Sequence, residues 1–437
     1  MSDRLKGVRV RIIPMGCRTN ISESEALCSS FAAAGAVLAP EGPLDVAVLV
    51  SCSVTAEADR KSRQAIRRLR RENTRAVILA TGCWAQGTEP GDARSLGIDC
   101  IVGNGLKHRI PEIVREMLSG GRTSGSLRIE RTDVQDDHGW DPLFITTPQN
   151  RTRAFIKIQD GCSHRCSYCI IPDLRGRSVE RPPEDVLREV KRVALSGCSE
   201  VVFTGINLGM FGKTSGMLLG GLVRRAGDIS GIERIRFGSL EPFAINEVLL
   251  RDISQTRQFC PHLHLPLQSG DNGILGLMRR GYSSEDFARC VDLARDFFGE
   301  DLHISTDIIA GFPGESDEAF DATLSLLKAV KTGRLHVFPF SPRHGTPAER
   351  LAGRIPHGAI RSRVSQALAL GRDLLDACCR RWIGSNIDVL VEKCGEGHFE
   401  GLSPHYLRVE VLGLSSPGRS TTVTVTDAVD GILKGFV

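Results

Sequence analysis

Three short runs rich in Val and Ile, at 8–13, 46–50 and 76–80, stand between stretches of helical spacing at 22–34 and 56–71. Apolar runs that short, separated by the length of a helix, read as parallel strands buried on both faces. The period resumes further on. Six more candidate strands, at 155–158, 200–204, 234–238, 263–267, 304–309 and 335–340, alternate with helical stretches such as 183–195, 284–298 and 317–330. A series of that kind closes into a barrel or partial barrel, which carries its chemistry on the loops that follow the strands. After a helix at about 358–382 the rhythm changes, and 387–392, 407–411 and 421–425 are the alternating runs of a small β-barrel. The expected architecture is α/β: an N-terminal open parallel-sheet domain (1–131), a linker (132–150), a central partial (β/α) barrel (151–384) and a C-terminal small β-barrel (385–437). The linker falls where Asp136, Asp137, His138, Gly139 and Pro142 interrupt the pattern.

Length and composition agree with several domains. The chain has 437 residues, whereas a single core usually serves roughly 100 to 200. At 41% hydrophobic and 25% charged residues, and without an apolar run near the roughly 20 residues that span a bilayer, it reads as a globular protein with no membrane partner. Residues 1–16 lack the continuous apolar stretch of a secretory signal, so a cytoplasmic location is expected. There the 14 cysteines meet a reducing medium, in which thiols serve metals or catalysis more often than disulfides. A net charge of +4 is too small to diagnose a nucleic-acid partner.

The strongest local signal is Cys162-x3-Cys166-x2-Cys169, directly after the first strand of the second series. A 4Fe-4S cluster normally takes four thiolates, so three from one loop leave one iron open to a substrate or cofactor. Zinc is the poorer reading, because it generally demands a fourth protein ligand in a second paired motif, and no second C-x2-C exists. Three further cysteines, Cys17, Cys52 and Cys83, each follow one of the three N-terminal strands. In an open α/β sheet such strand ends converge on one crevice. The other eight, Cys28, Cys100, Cys198, Cys260, Cys290, Cys378, Cys379 and Cys394, read as small core residues.

With Ile170-Ile171-Pro172 and Arg175-Gly176-Arg177-Ser178 behind it, the central motif resembles the methylthiotransferase branch of the radical S-adenosylmethionine (SAM) superfamily. Thr204-Gly205-Ile206-Asn207, Ser239-Leu240-Glu241-Pro242, Pro266-Leu267-Gln268-Ser269-Gly270 and the stretches 307–315 and 338–347 extend the resemblance over the middle domain. It implies that Cys162, Cys166 and Cys169 hold the 4Fe-4S cluster that cleaves SAM. It also implies that SAM touches Thr204, Gly205, Asn207, Ser239, Gln268, Asp307 and Phe312, with Tyr168 near the adenine. Gly16-Cys17-x2-Asn20, Ser51-Cys52-Ser53-Val54-Thr55 and Gly82-Cys83 are similar to the family's N-terminal domain. On that resemblance Cys17, Cys52 and Cys83 hold a second 4Fe-4S cluster, whose free iron carries the sulfur to be inserted. The segment from Ser385 to Val437 resembles a TRAM domain, an RNA-binding barrel, and a basic helix at 60–71 is a further candidate for phosphate contact.

The reaction implied is insertion of a methylthio group at carbon 2 of a tRNA adenosine, with SAM both radical source and methyl donor. Thr204 to Gly209 and His336 to Arg343 resemble the threonylcarbamoyladenosine branch, so the expected partner is a tRNA anticodon stem-loop. An electron donor such as a flavodoxin or ferredoxin and a sulfur donor are also implied. A substituent that bears a carboxylate favours arginine, and Arg175, Arg177, Arg279, Arg280 and Arg343 are the candidates to bind it. The same chemistry on isopentenyl-adenosine or on a ribosomal-protein aspartate is the alternative, and a non-catalytic iron-sulfur RNA-binding or redox-sensing protein is another. The chain departs from the family at Asp173 and Leu174, at Trp84 after Cys83, and at Ile21-Ser22 after Asn20.

Overall fold

A computed structural model describes residues 5–120, 126–136, 139–146, 148 and 152–437. At the N-terminus β1 (Arg9–Pro14), β2 (Val37–Leu38), β3 (Val46–Ser51), β4 (Val77–Gly82), β5 (Cys100–Val102) and β6 (Arg128–Glu130) form one sheet in the order β2-β1-β3-β4-β5-β6. Every neighbouring pair is parallel. β3 and β4 are buried from end to end, which is why they read as unbroken apolar runs. Helices α1 (Arg18–Ala33), α2 (Ala56–Glu72), α3 (Cys83–Gly87), α4 (Pro90–Ser95) and α5 (Ile110–Ser119) make the crossovers. α1 begins four residues before the stretch expected from spacing, because Thr19, Asn20, Ser22 and Glu23 form a buried but polar face.

The second series opens with β7 (Arg153–Lys157), β8 (Gln159–Asp160), α6 (Ile171–Arg175), β9 (Val179–Glu180), α7 (Pro183–Leu195), β10 (Glu200–Thr204), α8 (Leu219–Gly227) and β11 (Arg234–Phe237). It continues through α9 (Glu247–Ser254), β12 (His262–His264), α10 (Asn272–Met278), α11 (Ser284–Phe298), β13 (His303–Ala310), α12 (Asp317–Ala329) and β14 (Arg334–Pro339). The sheets β11-β10-β7 and β12-β13-β14 are parallel throughout and are joined by single bridges, Ile235 to Phe259 and Ser239 to His264. The result is an open six-stranded barrel. β12 stops at His264, short of the run expected to Leu267, since Pro266 has no N–H to give the ladder. Residues that alternate outward, among them Ile156, Val201, Ile235, Leu263 and Ile304, enter the main apolar core. Those that alternate inward, Arg153, Glu200, Arg236, His262 and Ser305, are polar and buried, so salt bridges and hydrogen bonds fill the interior.

After α13 (His357–Arg380), strands β15 (Asn386–Gly395), β16 (His398–Leu402), β17 (Arg408–Leu412), β18 (Ser420–Val429) and β19 (Ile432–Phe436) close a barrel in the order β15-β16-β17-β19-β18. Its loop at 403–406 seals the lower end of the larger barrel. Arg236 donates to the carbonyls of Ser403 (2.7 Å) and Pro404 (2.6 Å), and Arg234 to that of Leu402 (2.7 Å). Tyr406, held at φ 63°, stacks on His262 at 4.8 Å beneath the guanidinium groups of Arg18, Arg153, Arg236 and Arg334.

The segment expected as a linker is stitched down where it is described. Leu143 and Ile145 enter the core, Asp141 accepts from Lys107 N–H (3.1 Å), and Ile145 N–H donates to Glu189 (2.8 Å). Asp137, His138 and residues 147, 149 and 150 lie outside the described residues. Among the described residues no helix is long and apolar enough to cross a membrane.

Candidate active site

The cysteine loop starts where β8 ends. Gly161 sits at φ +65°, and a Cβ there would lie 2.0 Å from the Arg177 carbonyl, so only glycine permits the turn. Cys162 N–H donates to Gly176 O (3.0 Å) and Cys169 N–H to Cys166 O (3.1 Å). Ser167 is clamped from the far side: its N–H donates to Met278 O (3.0 Å), its hydroxyl to Leu277 O (2.7 Å), and its carbonyl accepts from Ala348 (2.8 Å). Burial, with a smaller contribution from the neighbouring cysteines, pushes the Cys162 thiol up and that of Cys169 to about 12. A metal centre relieves thiols whose ionisation burial disfavours. Asn207 Nδ2 stands 3.7 Å from Cys162 Sγ, while Asn207 Oδ1 is buried with no hydrogen-bond partner among the described residues. Arg280 donates to Cys166 Sγ and to the Tyr168 hydroxyl, both at 3.4 Å, and pairs with Glu241. Three sulfurs, donors around them and an orphaned amide oxygen beside them fit an iron-sulfur cluster that carries a small polar ligand.

The residues expected to touch SAM divide by environment. Thr204 is buried at the end of β10, and a Cβ on Gly205 would lie 2.9 Å from the Gln159 carbonyl. Tyr168 packs edge-on against buried Phe312 (6.4 Å between centroids), which packs against Phe340 (5.2 Å). Gln268, at φ 70°, joins β13 by donating its N–H to Asp307 O (2.8 Å) and accepting from Ile309 N–H (3.0 Å). Ser239 is exposed and bridges to His264. The Asp307 carboxylate is already taken by His264 Nε2 (3.1 Å) and His336 Nδ1 (3.0 Å). Burial would raise it, but those two hydrogen bonds hold it well below the ordinary carboxylate range.

Cys17, Cys52 and Cys83 converge beyond the C-terminal edge of the first sheet. Gly16, at φ +83°, leaves room for Cys52, whose Sγ would lie 2.6 Å from a Cβ on that glycine. Asn20 pins the two loops by donating to the carbonyls of Met15 (2.6 Å) and Ser51 (3.0 Å). A hydrogen bond from Cys52 brings the Cys17 thiol down to about 6, against the effect of burial and with help from Arg175. Cys52 is raised by the same bond, and Cys83 chiefly by burial.

Arg175, on α6 after the central motif, reaches across to the N-terminal triad. Its Nε donates to Cys83 Sγ (3.1 Å), while its Nη atoms reach Glu23 (2.9 Å), Asp160 (2.9 Å) and Asn20 (3.1 Å). Lys107 and Lys157 also pair with Glu23. Burial would raise the Glu23 carboxyl, but Arg175, Lys107 and Lys157 hold it well below its ordinary value. Cys83 and Cys169, one from each triad, share a small apolar cluster with Ile171 and Leu174.

The arginines expected to meet a substrate carboxylate divide by their surroundings. Arg175 and Arg280 are buried against acids and thiols of the chain itself, and Arg343 donates to Ser53 Oγ (2.8 Å) while pairing with Asp59. Only Arg177 and Arg279 of the five are exposed. In the basic helix, Arg60 and Arg68 pair with Glu57 and Glu72, and Arg70 binds the Gly97 carbonyl and Asp99. Of the cysteines assigned to the core, Cys100, Cys198, Cys260 and Cys379 are buried, whereas Cys394 is exposed. The departures have local partners: Asp173 pairs with Arg165, Leu174 lies in the Cys83 cluster, and Trp84 is buried. Sequence reasoning missed Glu23, Asp160 and Lys107, because a buried charge looks like a solvated one until its partners are known.

Residues 156–327 match the radical SAM superfamily model, and residues 9–103 match that of the uncharacterized protein family UPF0004. Two relatives named threonylcarbamoyladenosine tRNA methylthiotransferase are similar over nearly the whole length. That of Thermotoga maritima is 34% identical, covering 92% of this chain and 91% of its own. That of Chlamydia pneumoniae is 37% identical, covering 95% and 94%. A tRNA-2-methylthio-N(6)-dimethylallyladenosine synthase from Moorella thermoacetica is 32% identical, covering 97% of each chain. Among solved structures, the radical SAM methyltransferase TsrM of Kitasatospora setae shares the fold, with a TM-score of 0.60 at 16% identity over 78% of this chain and 77% of that one.

Proposed function

Since the chain belongs to the radical SAM methylthiotransferases, on the threonylcarbamoyladenosine branch, we propose that it converts threonylcarbamoyladenosine next to the tRNA anticodon to its 2-methylthio derivative. SAM and an iron-sulfur cluster are its cofactors. The observation that carries the reading is the packing of Cys83 and Cys169, one from each triad, in one apolar cluster, for this reaction needs a radical source and a sulfur source side by side.

In this reading Cys162, Cys166 and Cys169 would hold a 4Fe-4S cluster, and Asn207, Tyr168 and Phe312 would contact SAM. Cys17, Cys52 and Cys83 hold a second cluster. Bound there, the cofactors would supply an electron, a 5′-deoxyadenosyl radical and a methylated sulfur. The protein supplies alignment and dryness. Ser167 fixes the first loop against α10, Asn20 fixes the second, and the apolar group of Ile171, Leu174, Cys83 and Cys169 keeps water from the space the triads share. No general base is needed at carbon 2 of adenine, which exchanges a hydrogen atom for a methylthio group. The C-terminal barrel and the exposed arginines of α2 hold the anticodon stem-loop, and a flavodoxin or ferredoxin and a sulfur donor complete the reaction in the cytoplasm.

Reconstituted enzyme with reductant, SAM and sulfide is expected to thiolate an anticodon stem-loop carrying threonylcarbamoyladenosine and to leave the isopentenyl-adenosine version unmodified, as read by nucleoside mass spectrometry. The opposite preference overturns the substrate and leaves the radical chemistry standing. Absence of 5′-deoxyadenosine would return the chain to the non-catalytic class.

A further inference from the structure

The interior of the barrel contains one polar chain that the chemistry above does not use. β12, β13 and β14 lie side by side, with His264 opposite Ser305 and Asp307 opposite His336. Leu263, Ile304, Leu335 and Val337 pack outward in the apolar core, so the histidines and Asp307 point inward. His262 Nε2 bonds Ser305 Oγ (2.8 Å), which bonds His264 Nδ1 (3.0 Å). His264 Nε2 then reaches Asp307 Oδ2 (3.1 Å), and Asp307 Oδ1 takes His336 Nδ1 (3.0 Å). The chain starts at the Tyr406 plug and ends at a His336 side chain that is 43% exposed. Among the described residues, His336 Nε2 has no hydrogen-bond partner.

We propose that His336, oriented by Asp307 and His264, is the residue that recognises the polar substituent of the substrate adenosine. The inference rests on the substrate reading above and adds the residue that enforces it. When Nδ1–H is given to Asp307, Nε2 carries a lone pair that accepts from an N–H or O–H. A threonylcarbamoyl group brings both, whereas an isopentenyl group brings neither. Discrimination of this kind is steep, because a site built around a hydrogen bond leaves a polar atom unpaired when the wrong substrate enters. Arg175, Arg280 and Arg343 are already committed elsewhere, which leaves exposed Arg177 and Arg279 for the carboxylate and His336 for the N–H and O–H of the substituent. Barrels of this kind usually fill such layers with Val, Ile and Leu. An imidazole-carboxylate-imidazole array in their place costs desolvation that a merely structural layer avoids.

The test uses the full-length reconstituted enzyme and two stem-loop RNAs, one with threonylcarbamoyladenosine and one with isopentenyl-adenosine. His336→Phe is expected to lower kcat/KM for the first roughly 10- to 100-fold, the worth of one well-placed hydrogen bond to a polar or charged group. His336→Asn, which keeps an acceptor, is expected to recover most of it. Iron content and RNA-independent formation of 5′-deoxyadenosine report a folded, loaded protein in either variant. Unchanged selectivity in His336→Phe overturns the proposal, as does an equal loss of RNA-independent SAM cleavage. Stoichiometric Zn2+ uptake by the wild type that is lost in His336→Phe, with substrate preference unaltered, overturns it in favour of a metal site. Should the wild type itself reject the threonylcarbamoyl RNA, the substrate reading fails first, and the two failures are told apart.

Discussion

Arg175 donates through Nε to Cys83 and through its Nη atoms to Glu23, Asp160 and Asn20. Arg175, Lys107 and Lys157 face Glu23 and Asp160, while the Nε of Arg175 is left for sulfur. Removing one member of such a buried set strands its partners, and Arg175→Gln is expected to destabilise the protein by about 3–5 kcal/mol in urea unfolding. Arg177→Gln, two positions on and exposed, is expected to stay within about 0.5 kcal/mol. Equal losses at both positions would contradict the buried network. The sequence made the six cysteines stand out, because motif spacing and strand ends are local. It gave no way to tell Arg175 from Arg177, since which guanidinium is buried depends on α1, about 150 residues earlier in the chain.

At the scale of elements, strands buried on both faces were legible and short ones were not. β3, β4 and β10 are five or six buried residues each, whereas β2, β8 and β9 have two, too few to show a period. The loops after β1, β3 and β4 carry one triad and the loop beyond β7 and β8 the other, and this independence can be tested. Replacing Cys162, Cys166 and Cys169 by Ala is expected to remove about half the iron and all SAM cleavage, on one cluster per triad. Replacing Cys17, Cys52 and Cys83 is expected to remove the other half, sparing cleavage and abolishing thiolation. Unchanged iron in the second variant would dispose of the auxiliary cluster. The connection between the loops was not legible at all: Arg343 after β14 reaches Ser53, and Ser341 accepts from Ala56 N–H (3.1 Å), joining segments far apart in sequence.

Across the whole molecule, the two barrels are joined at a plug whose acid sensitivity follows from its histidines. Burial brings the His303 imidazole down to about 4 and that of His405 to about 3, below an ordinary value of 6.5. Both are neutral when docked, so an undocked chain binds more protons below that ordinary value. Docking is therefore at full strength above about pH 6.5 and weakens as the pH falls toward 4. Hydrogen exchange at residues 402–407, corrected for intrinsic rates, is expected to lose protection between pH 7 and pH 5 before the barrel strands do. Equal protection at both values would mean that the joint does not titrate. The same joint has a geometric meaning. Arg234 and Arg236 clasp the carbonyls of Leu402, Ser403 and Pro404, and Tyr406 is wedged under four guanidinium groups. The smaller barrel is therefore clamped to the larger one like the fixed jaw of a caliper. On the reading proposed above, an RNA held by that jaw would meet the cysteine loops at one set distance, so the nucleotide offered for reaction would be chosen by measurement along the stem-loop as well as by its chemistry.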